Sequence, residues 1–212
     1  MLSKRVIVIG ITGRSGSGKT TVAENVIKHF GAKRVRILST DRYYHGKKAD
    51  ETRDQFNDRT NFDEPGALNL AKLAENIKDL KAGNEVFVPS YSMITSESTD
   101  NAESIADVEI LIIEGIFALY DDAVRGLIDI SVFVHAPADV AFARRAKRDK
   151  EERNYSYEHS VKLVEKVLRP AYANFIKPFK RTCRIYIDNT QHIGNASLVS
   201  IDPITSLTEE KM

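Results

Sequence analysis

One short segment constrains the fold of this 212-residue chain more than any other. Gly13–Thr20 matches the pattern G-x-x-x-x-G-K-[ST] in full, after an apolar run at Val6–Ile11 and before a helical pattern at Val22–Phe30. A strand, a glycine-rich turn and a helix in this order direct backbone N–H groups and the helix N-terminus at phosphate oxygens. The segment predicts a P-loop that binds a nucleoside triphosphate. The alternative is a glycine-rich turn with an exposed lysine.

The P-loop chemistry predicts ATP and Mg²⁺ as ligands. We expect Lys19 to contact the β- and γ-phosphates and the Thr20 hydroxyl to ligate Mg²⁺. Neither N-K-x-D nor T-K-x-D, the guanine-reading patterns of a GTPase, occurs in the chain. The residues expected to hold the nucleotide are those of the loop and the helical turn after it: Gly13, Ser15, Gly16, Ser17, Gly18, Lys19, Thr20 and Thr21.

Hydrophobic patterns along the chain predict alternating strands and helices. Further buried strands are expected at Val35–Leu38, Ile110–Ile113 and Ile130–Val134, since these runs are apolar nearly throughout. Helices are expected from Leu70 to a stop at Gly83, over Ala138–Arg153, and from about Tyr157 until Pro170 kinks or ends the helix. This alternation predicts a three-layer α/β fold with a parallel sheet.

The domain organisation follows from the same patterns. Residues 1–189 are expected to form one domain, and the polar residues 190–212 a loose C-terminal tail. The connection at about 40–66 is long, charged and weakly patterned, yet it contains four aromatic residues, Tyr43, Tyr44, Phe56 and Phe62. A functional loop and a mobile surface loop are both compatible with it.

Composition excludes several classes of protein. The 31 Lys+Arg and 30 Asp+Glu give a net charge of +1, so the chain is not a globally basic nucleic-acid binder. No apolar run approaches the roughly 18 residues of a membrane span. The single cysteine, Cys183, cannot form an intrachain disulfide, which fits a reducing compartment. We therefore expect a cytoplasmic protein with a small-molecule substrate and no nucleic-acid or membrane partner.

Two carboxylates follow predicted strands at their carboxyl ends, where ligands bind in open α/β sheets. Asp41 comes just after Val35–Leu38 and could accept a proton from an attacking hydroxyl. Glu114 directly follows Ile110–Ile113 and could hold Mg²⁺. A turn or helix cap is the alternative for Asp41, and a glutamate at a strand end is commonplace.

A run of arginines lies on the predicted helix 138–153 and at its exit: Arg144, Arg145, Arg148 and Arg153. Such a cluster can clamp phosphates and neutralise charge during transfer. The interleaved acids Asp149, Glu151 and Glu152 also fit a solvated helix with salt bridges.

Taken in order along the chain, the motifs resemble the uridine kinase (uridine–cytidine kinase) family of phosphoribulokinase-like P-loop kinases. After Gly13–Thr20 they are Ser39–Tyr44, Asn61–Pro65, Val88–Ser92, Ile113–Tyr120, Ala143–Arg145, Arg148–Asp149, Glu152–Arg153, Arg169–Pro170 and Phe175–Pro178. The resemblance implies a P-loop kinase fold with a small acceptor-binding insertion at about 40–66 and an arginine-rich lid at about 145–157. It also implies a homo-oligomer, a dimer or tetramer.

The resemblance implies roles for individual residues. Asp41 matches the catalytic base and Glu114 the magnesium-associated acid, with Lys19, Arg148 and Arg153 acting on the phosphates. The remaining matches concern the acceptor: Tyr44 lines the pocket, Phe62 packs on the base, Asp63 accepts ribose hydroxyls, Tyr91 contacts the base and Arg145 contacts the sugar.

The departures from the family pattern fall on the base-reading half of the site. The family's aromatic and His-x-Arg positions read Met93, Ser96 and Ser98; its lid Arg-Gly-Arg reads Arg153-Asn154-Tyr155; its base-reading glutamine reads Leu163. Ser96 could still hydrogen-bond a base. The expected activity is transfer of the ATP γ-phosphate to the 5′-hydroxyl of a nucleoside, with uridine or cytidine as leading acceptors. Another acceptor (nicotinamide riboside, pantothenate or a sugar phosphate) and a non-catalytic ATP-binding regulator are the alternatives.

Overall fold

The computed structural model describes residues 5–153, 156–190 and 200–212, without the side chains of residues 152, 153 and 159. The strands are β1 (Ile7–Gly13), β2 (Val35–Ser39), β3 (Val86–Ser92), β4 (Glu97–Ile105), β5 (Ile110–Glu114), β6 (Ile130–His135) and β7 (Ile185–Asp188). The helices are α1 (Lys19–Phe30), α2 (Arg53–Arg59), α3 (Leu70–Lys81), α4 (Asp122–Gly126), α5 (Ala138–Arg153), α6 (Tyr157–Leu163), α7 (Arg169–Ala171) and α8 (Asp202–Lys211). Within these residues, no helix has both the length and the apolar character needed to cross a bilayer.

Five strands form a parallel sheet in the order β2-β5-β1-β6-β7. The central strand β1 is buried on both faces: Val6 and Val8 pack into one core cluster, and Ile7, Ile9 and Ile11 into the other. Helix α3 and the β3–β4 hairpin cover the first face, and α1 and α8 cover the second. The expected three-layer α/β fold with a parallel sheet is confirmed.

Two segments differ from the sequence-based expectation by having more structure. The connection at 40–66 contains the short helix α2, which Thr52 and Gln55 start with a reciprocal capping box. The hairpin of β3 and β4 was not predicted, because every residue of β4 except Ile105 is exposed and the strand shows no apolar alternation.

The two remaining corrections concern the C-terminal third. The expected loose tail instead contains α8, whose Ile204 is fully buried against α1 and the sheet, with Leu207 packed beside it. Pro170 does not end the preceding helix, since helical backbone continues through π-type turns at Val164–Leu168 and Tyr172–Ile176. Pro170 lies in α7 between the two turns, and proline and π-type turns are both known sites of helix kinks.

Candidate active site

The parallel register brings the predicted catalytic residues to one edge of the sheet. Ser39 of β2 and Ile11 of β1 both lie level with Glu114 of β5. Since all three strands end there, the P-loop after β1 and Asp41 after β2 face the same space as Glu114. A cavity of about 590 Å³ opens at this edge and is lined by Ser15, Lys19, Thr20, Asp41 and Glu114, among others.

The P-loop backbone has the shape that a phosphate group requires. Gly13, Gly16 and Gly18 have φ angles of 148°, 80° and 95°, which residues with a Cβ rarely adopt. A Cβ on Gly16 would lie 2.2 Å from the carbonyl oxygen of Ala141, so the loop packs directly against α5. Ser17 is buried, and its hydroxyl meets no hydrogen-bond partner in the described part of the chain. These features fit a triphosphate seated in the loop.

Lys19 is buried and contacts the backbone of the P-loop. Its ammonium donates to the carbonyl oxygen of Arg14 at 3.3 Å, and the residue is 8% exposed. Burial lowers the pKa of Lys19, while the carboxylates of Glu114 and Asp41 oppose that shift. An ammonium held among two carboxylates and poor in water is positioned to neutralise phosphate charge.

The oxygen-bearing side chains at the cavity fit a Mg²⁺ ion that water and phosphates help to coordinate. They do not fit a metal ion enclosed by protein ligands alone. Burial raises the pKa of Glu114, and the nearby Lys19 opposes the shift. Across residues 5–153, 156–190 and 200–212, no group of three His, Cys, Asp or Glu side chains could hold a metal ion. Mg²⁺ is commonly held by one or two protein oxygens together with substrate phosphates and water, and Thr20 and Glu114 line the cavity as such a pair.

Aromatic side chains line the end of the cavity that is predicted to hold the acceptor. Tyr44 and Phe62 line it, with ring centroids 5.3 Å apart, and the Tyr44 hydroxyl donates to the Phe62 carbonyl oxygen at 2.8 Å. Tyr91 lies behind them, 5.4 Å from Tyr44 and 6.3 Å from Phe62 between centroids, and does not itself line the cavity. Tyr91 therefore lies behind the rings that line the cavity, and its base contact stays a prediction.

Asp63 and Arg145 close the same end with an ion pair. Arg145 Nη1 lies 3.6 Å from Asp63 Oδ1, and its Nε donates to Asp149 at 3.1 Å. Both Asp63 and Arg145 are 8% exposed and both line the cavity. The structure thus brings together the predicted ribose acceptor and the predicted sugar contact.

The other arginines of the cluster lie on the P-loop. Arg148 Nη2 is 3.4 Å from the hydroxyl of Ser15 and lines the cavity. Arg144 donates to the carbonyl oxygens of Gly16 and Asn189 at 3.5 and 3.2 Å. The predicted phosphate contact of Arg153 rests on a side chain outside the described part of the chain, and the departure at Tyr155 lies outside the described residues.

Thr21 and Ser96, like Tyr91, do not line the cavity. Thr21 is half-buried on α1 and does not line the cavity. Ser96 is buried in the turn between β3 and β4, and its hydroxyl donates to Asn57 Oδ1 instead of facing the cavity. By contrast Met93 and Leu163, at two positions that depart from the family pattern, do line it.

Sequence reasoning missed two sets of residues. Asn189 at the end of β7 donates from Nδ2 to the carbonyl oxygen of Ser17 at 2.8 Å and so anchors the P-loop. The end of α2 supplies a polar wall to the cavity, made of Asn57, Asp58, Arg59, Thr60 and Asn61. Apart from Asn61, which the motif Asn61–Pro65 marks, the one sequence signal for this wall was the length of the connection at 40–66.

A parallel sheet, a P-loop, a strand-end acid and an acceptor pocket together define a P-loop kinase of small molecules. Comparison with known proteins gives the family. The Phosphoribulokinase / Uridine kinase family model matches residues 8–193, and the chain belongs to that family. The uridine kinase of Staphylococcus aureus (strain JH9) is 36% identical over 205 residues, 96% of this chain and 95% of its own length.

Solved structures share the fold at low identity. Phosphoribulokinase from Rhodobacter spheroides matches with a TM-score of 0.65 and 16% identity, over 93% of this chain and 75% of that one. D-glycerate 3-kinase from Cryptococcus neoformans matches with a TM-score of 0.61 and 16% identity, over 87% and 85% of the two chains. Both confirm the architecture of a P-loop kinase.

Proposed function

We propose that the protein transfers the γ-phosphoryl group of ATP to the 5′-hydroxyl of a pyrimidine nucleoside, giving ADP and the nucleoside 5′-phosphate. The observation that carries the proposal is one cavity lined both by P-loop groups, Lys19 and Thr20, and by the acceptor groups Tyr44, Phe62 and Asp63. The uridine kinase at 36% identity supports the nucleoside as acceptor.

Several residues of the cavity have a task in that reaction. Asp41 accepts the proton of the 5′-hydroxyl as its oxygen bonds to the γ-phosphorus and the bond to the β–γ bridging oxygen breaks. Lys19 and Arg148 neutralise the charge on the phosphoryl oxygens, and the Asp63–Arg145 pair binds the ribose hydroxyls. Mg²⁺ at Thr20 and Glu114 would supply further charge neutralisation on the β- and γ-phosphates.

An acceptor panel tests the proposal. Wild-type protein is assayed for ADP release with Mg·ATP and uridine, cytidine, purine nucleosides, nicotinamide riboside, pantothenate or a sugar phosphate. Asp41→Asn is the blank, and Asp50→Asn, an exposed acid of the same connection, is the matched control. We expect turnover of uridine or cytidine that Asp41→Asn lowers by about 10²–10⁴-fold while ATP binding persists.

Other outcomes contradict the proposal in distinct ways. Turnover confined to a non-nucleoside acceptor would reject the nucleoside and keep the kinase. Turnover of uridine that is equal in wild type and Asp41→Asn would reject Asp41 as the base.

A further inference from the structure

A base bound at the end of the cavity that Tyr44 and Phe62 line would need polar side chains there to hydrogen-bond its edge. Met93, Leu163 and Val167, which line the cavity, are apolar and sense only the shape of a base. The polar candidates are on the wall at the end of α2: Asn57, Asp58, Arg59, Thr60 and Asn61.

Most of that wall is already engaged or cannot discriminate. Both ends of the Asn61 amide are used, since Nδ2 donates to Glu64 at 2.8 Å and Oδ1 accepts from the Asp63 N–H at 3.1 Å. Arg59 pairs with Glu51 and stacks on the Phe56 ring.

The other two residues of the wall, Asp58 and Thr60, offer no group that would tell one base edge from another. Asp58 is exposed to solvent, so its carboxylate stays hydrated. The Thr60 hydroxyl is buried and meets no partner within the described part of the chain, but a hydroxyl both donates and accepts. Asn57 is the group that remains.

The Asn57 amide is engaged at its oxygen by Ser96. The Ser96 hydroxyl donates to Asn57 Oδ1 at 3.0 Å, across 39 positions of sequence. Ser96 is 1% exposed and held by its backbone, as its N–H donates to the Ser92 carbonyl oxygen at 2.8 Å and its carbonyl accepts from the Lys47 N–H at 2.9 Å. With the amide oxygen engaged, Asn57 offers its N–H groups as donors.

We propose that Asn57 determines base specificity in this protein and that Ser96 is its positioning residue; the inference rests on the proposed function. The amide N–H groups donate to the carbonyl at position 4 of uracil. Cytosine carries an amino donor at that position, which would face the amide donor with no acceptor between them. A mismatch of this kind leaves a polar group unpaired in the pocket, so uridine is preferred over cytidine.

The test replaces the amide of Asn57, which can donate a hydrogen bond, with a carboxylate, which can only accept one. We measure kcat/KM for uridine and cytidine in wild type, Asn57→Asp, Asn57→Ala, Ser96→Ala and Gln55→Glu. The last is the matched control, because it adds the same charge to α2, lies outside the cavity and can keep the Thr52 capping contacts. ATP binding by calorimetry verifies that each variant is folded.

We expect wild type to prefer uridine by at least about tenfold and Asn57→Asp to reverse that preference. Asn57→Ala should bring the two substrates within about threefold, and Gln55→Glu should keep the wild-type ratio. Ser96→Ala should raise KM for uridine, leave kcat within about twofold and weaken the preference.

The inference is overturned if wild type prefers cytidine, or if the ratio is the same in wild type, Asn57→Asp and Asn57→Ala. An enzyme that turns over neither pyrimidine nucleoside overturns the proposed function and this inference together. Good turnover with an unchanged ratio overturns this inference alone.

Discussion

Asp63 and Arg145 form a buried ion pair, with Arg145 Nη1 3.6 Å from Asp63 Oδ1, that joins the connection after α2 to helix α5. Arg145 also pairs with the fully buried Asp149 at 3.1 Å, so one guanidinium serves two carboxylates. The pair therefore couples the end of the cavity that Tyr44 and Phe62 line to the helix whose arginines contact the P-loop.

Removing the charge of Asp63 should weaken acceptor binding. Asp63→Asn keeps the shape of the side chain but loses charged hydrogen bonds to the ribose, each worth about 1.5–3 kcal/mol. We expect KM for the nucleoside to rise about tenfold or more, with KM for ATP unchanged. Steady-state kinetics beside the exposed control Glu64→Gln measure this. An unaltered nucleoside KM would remove Asp63 from the acceptor site.

Arg148 should act on the rate rather than on acceptor binding. It reaches Ser15 of the P-loop at 3.4 Å, and charge on the phosphoryl oxygens changes most in the transition state. Arg148→Ala is expected to lower kcat by about 10²–10³-fold and leave nucleoside KM within about twofold. Lys147→Ala, at a neighbouring side chain that is 76% exposed, should behave as wild type. Equal kcat in the two variants would contradict the assignment.

A side chain at Gly16 should destroy the phosphate loop. Gly16 has a φ of 80°, and an added Cβ would lie 2.2 Å from a backbone oxygen of α5, which cannot rotate away. Calorimetry on Gly16→Ala should show ATP binding weakened by at least about 100-fold. Gly126→Ala, where an added Cβ meets nothing within 4 Å, is the control. If Gly16→Ala bound ATP as tightly as Gly126→Ala, the cradle described above would be wrong.

Asp129 should make stability depend on pH. Burial raises the pKa of this carboxyl, but the Val8 N–H, Lys81 and Arg5 outweigh burial and hold it below its ordinary value. Because the unfolded chain then binds more protons, the stabilisation is present above the unfolded pKa of about 4 and is lost as the pH falls.

Urea denaturation of Asp129→Asn tests this linkage. We expect the variant to be less stable than wild type by about 1–2 kcal/mol at pH 7, and this difference should begin to shrink near pH 3.5 and vanish as the pH falls through the folded pKa of Asp129. Asp100→Asn, at an exposed position of the β3–β4 hairpin, should match wild type at both values. A stability difference that did not shrink in acid would show that the charge of Asp129 contributes nothing.

Much of the fold could be predicted because the strands of the sheet are buried on both faces. β1, β2, β5 and β6 were predicted from runs that are apolar nearly throughout, to within one or two residues at each end. β4 carries no such pattern, since it is an exposed strand paired only with β3. Helix α8 was missed because its sequence is mostly polar. A few apolar residues, Ile204 and Leu207 among them, attach the helix to the second core cluster.

The sequence by itself determined the phosphate half of the candidate site. Gly13–Thr20 are consecutive, so their conformations and the following helix are set by local chemistry, and Asp41 and Glu114 are marked by the strands that they follow. Only the tertiary structure decided the acceptor half. Asp63 meets Arg145, and Ser96 meets Asn57, across long stretches of chain, because α2, the hairpin and α5 pack at one edge of the sheet. No local pattern encodes contacts of that kind, because each depends on how whole elements bury their surfaces against one another.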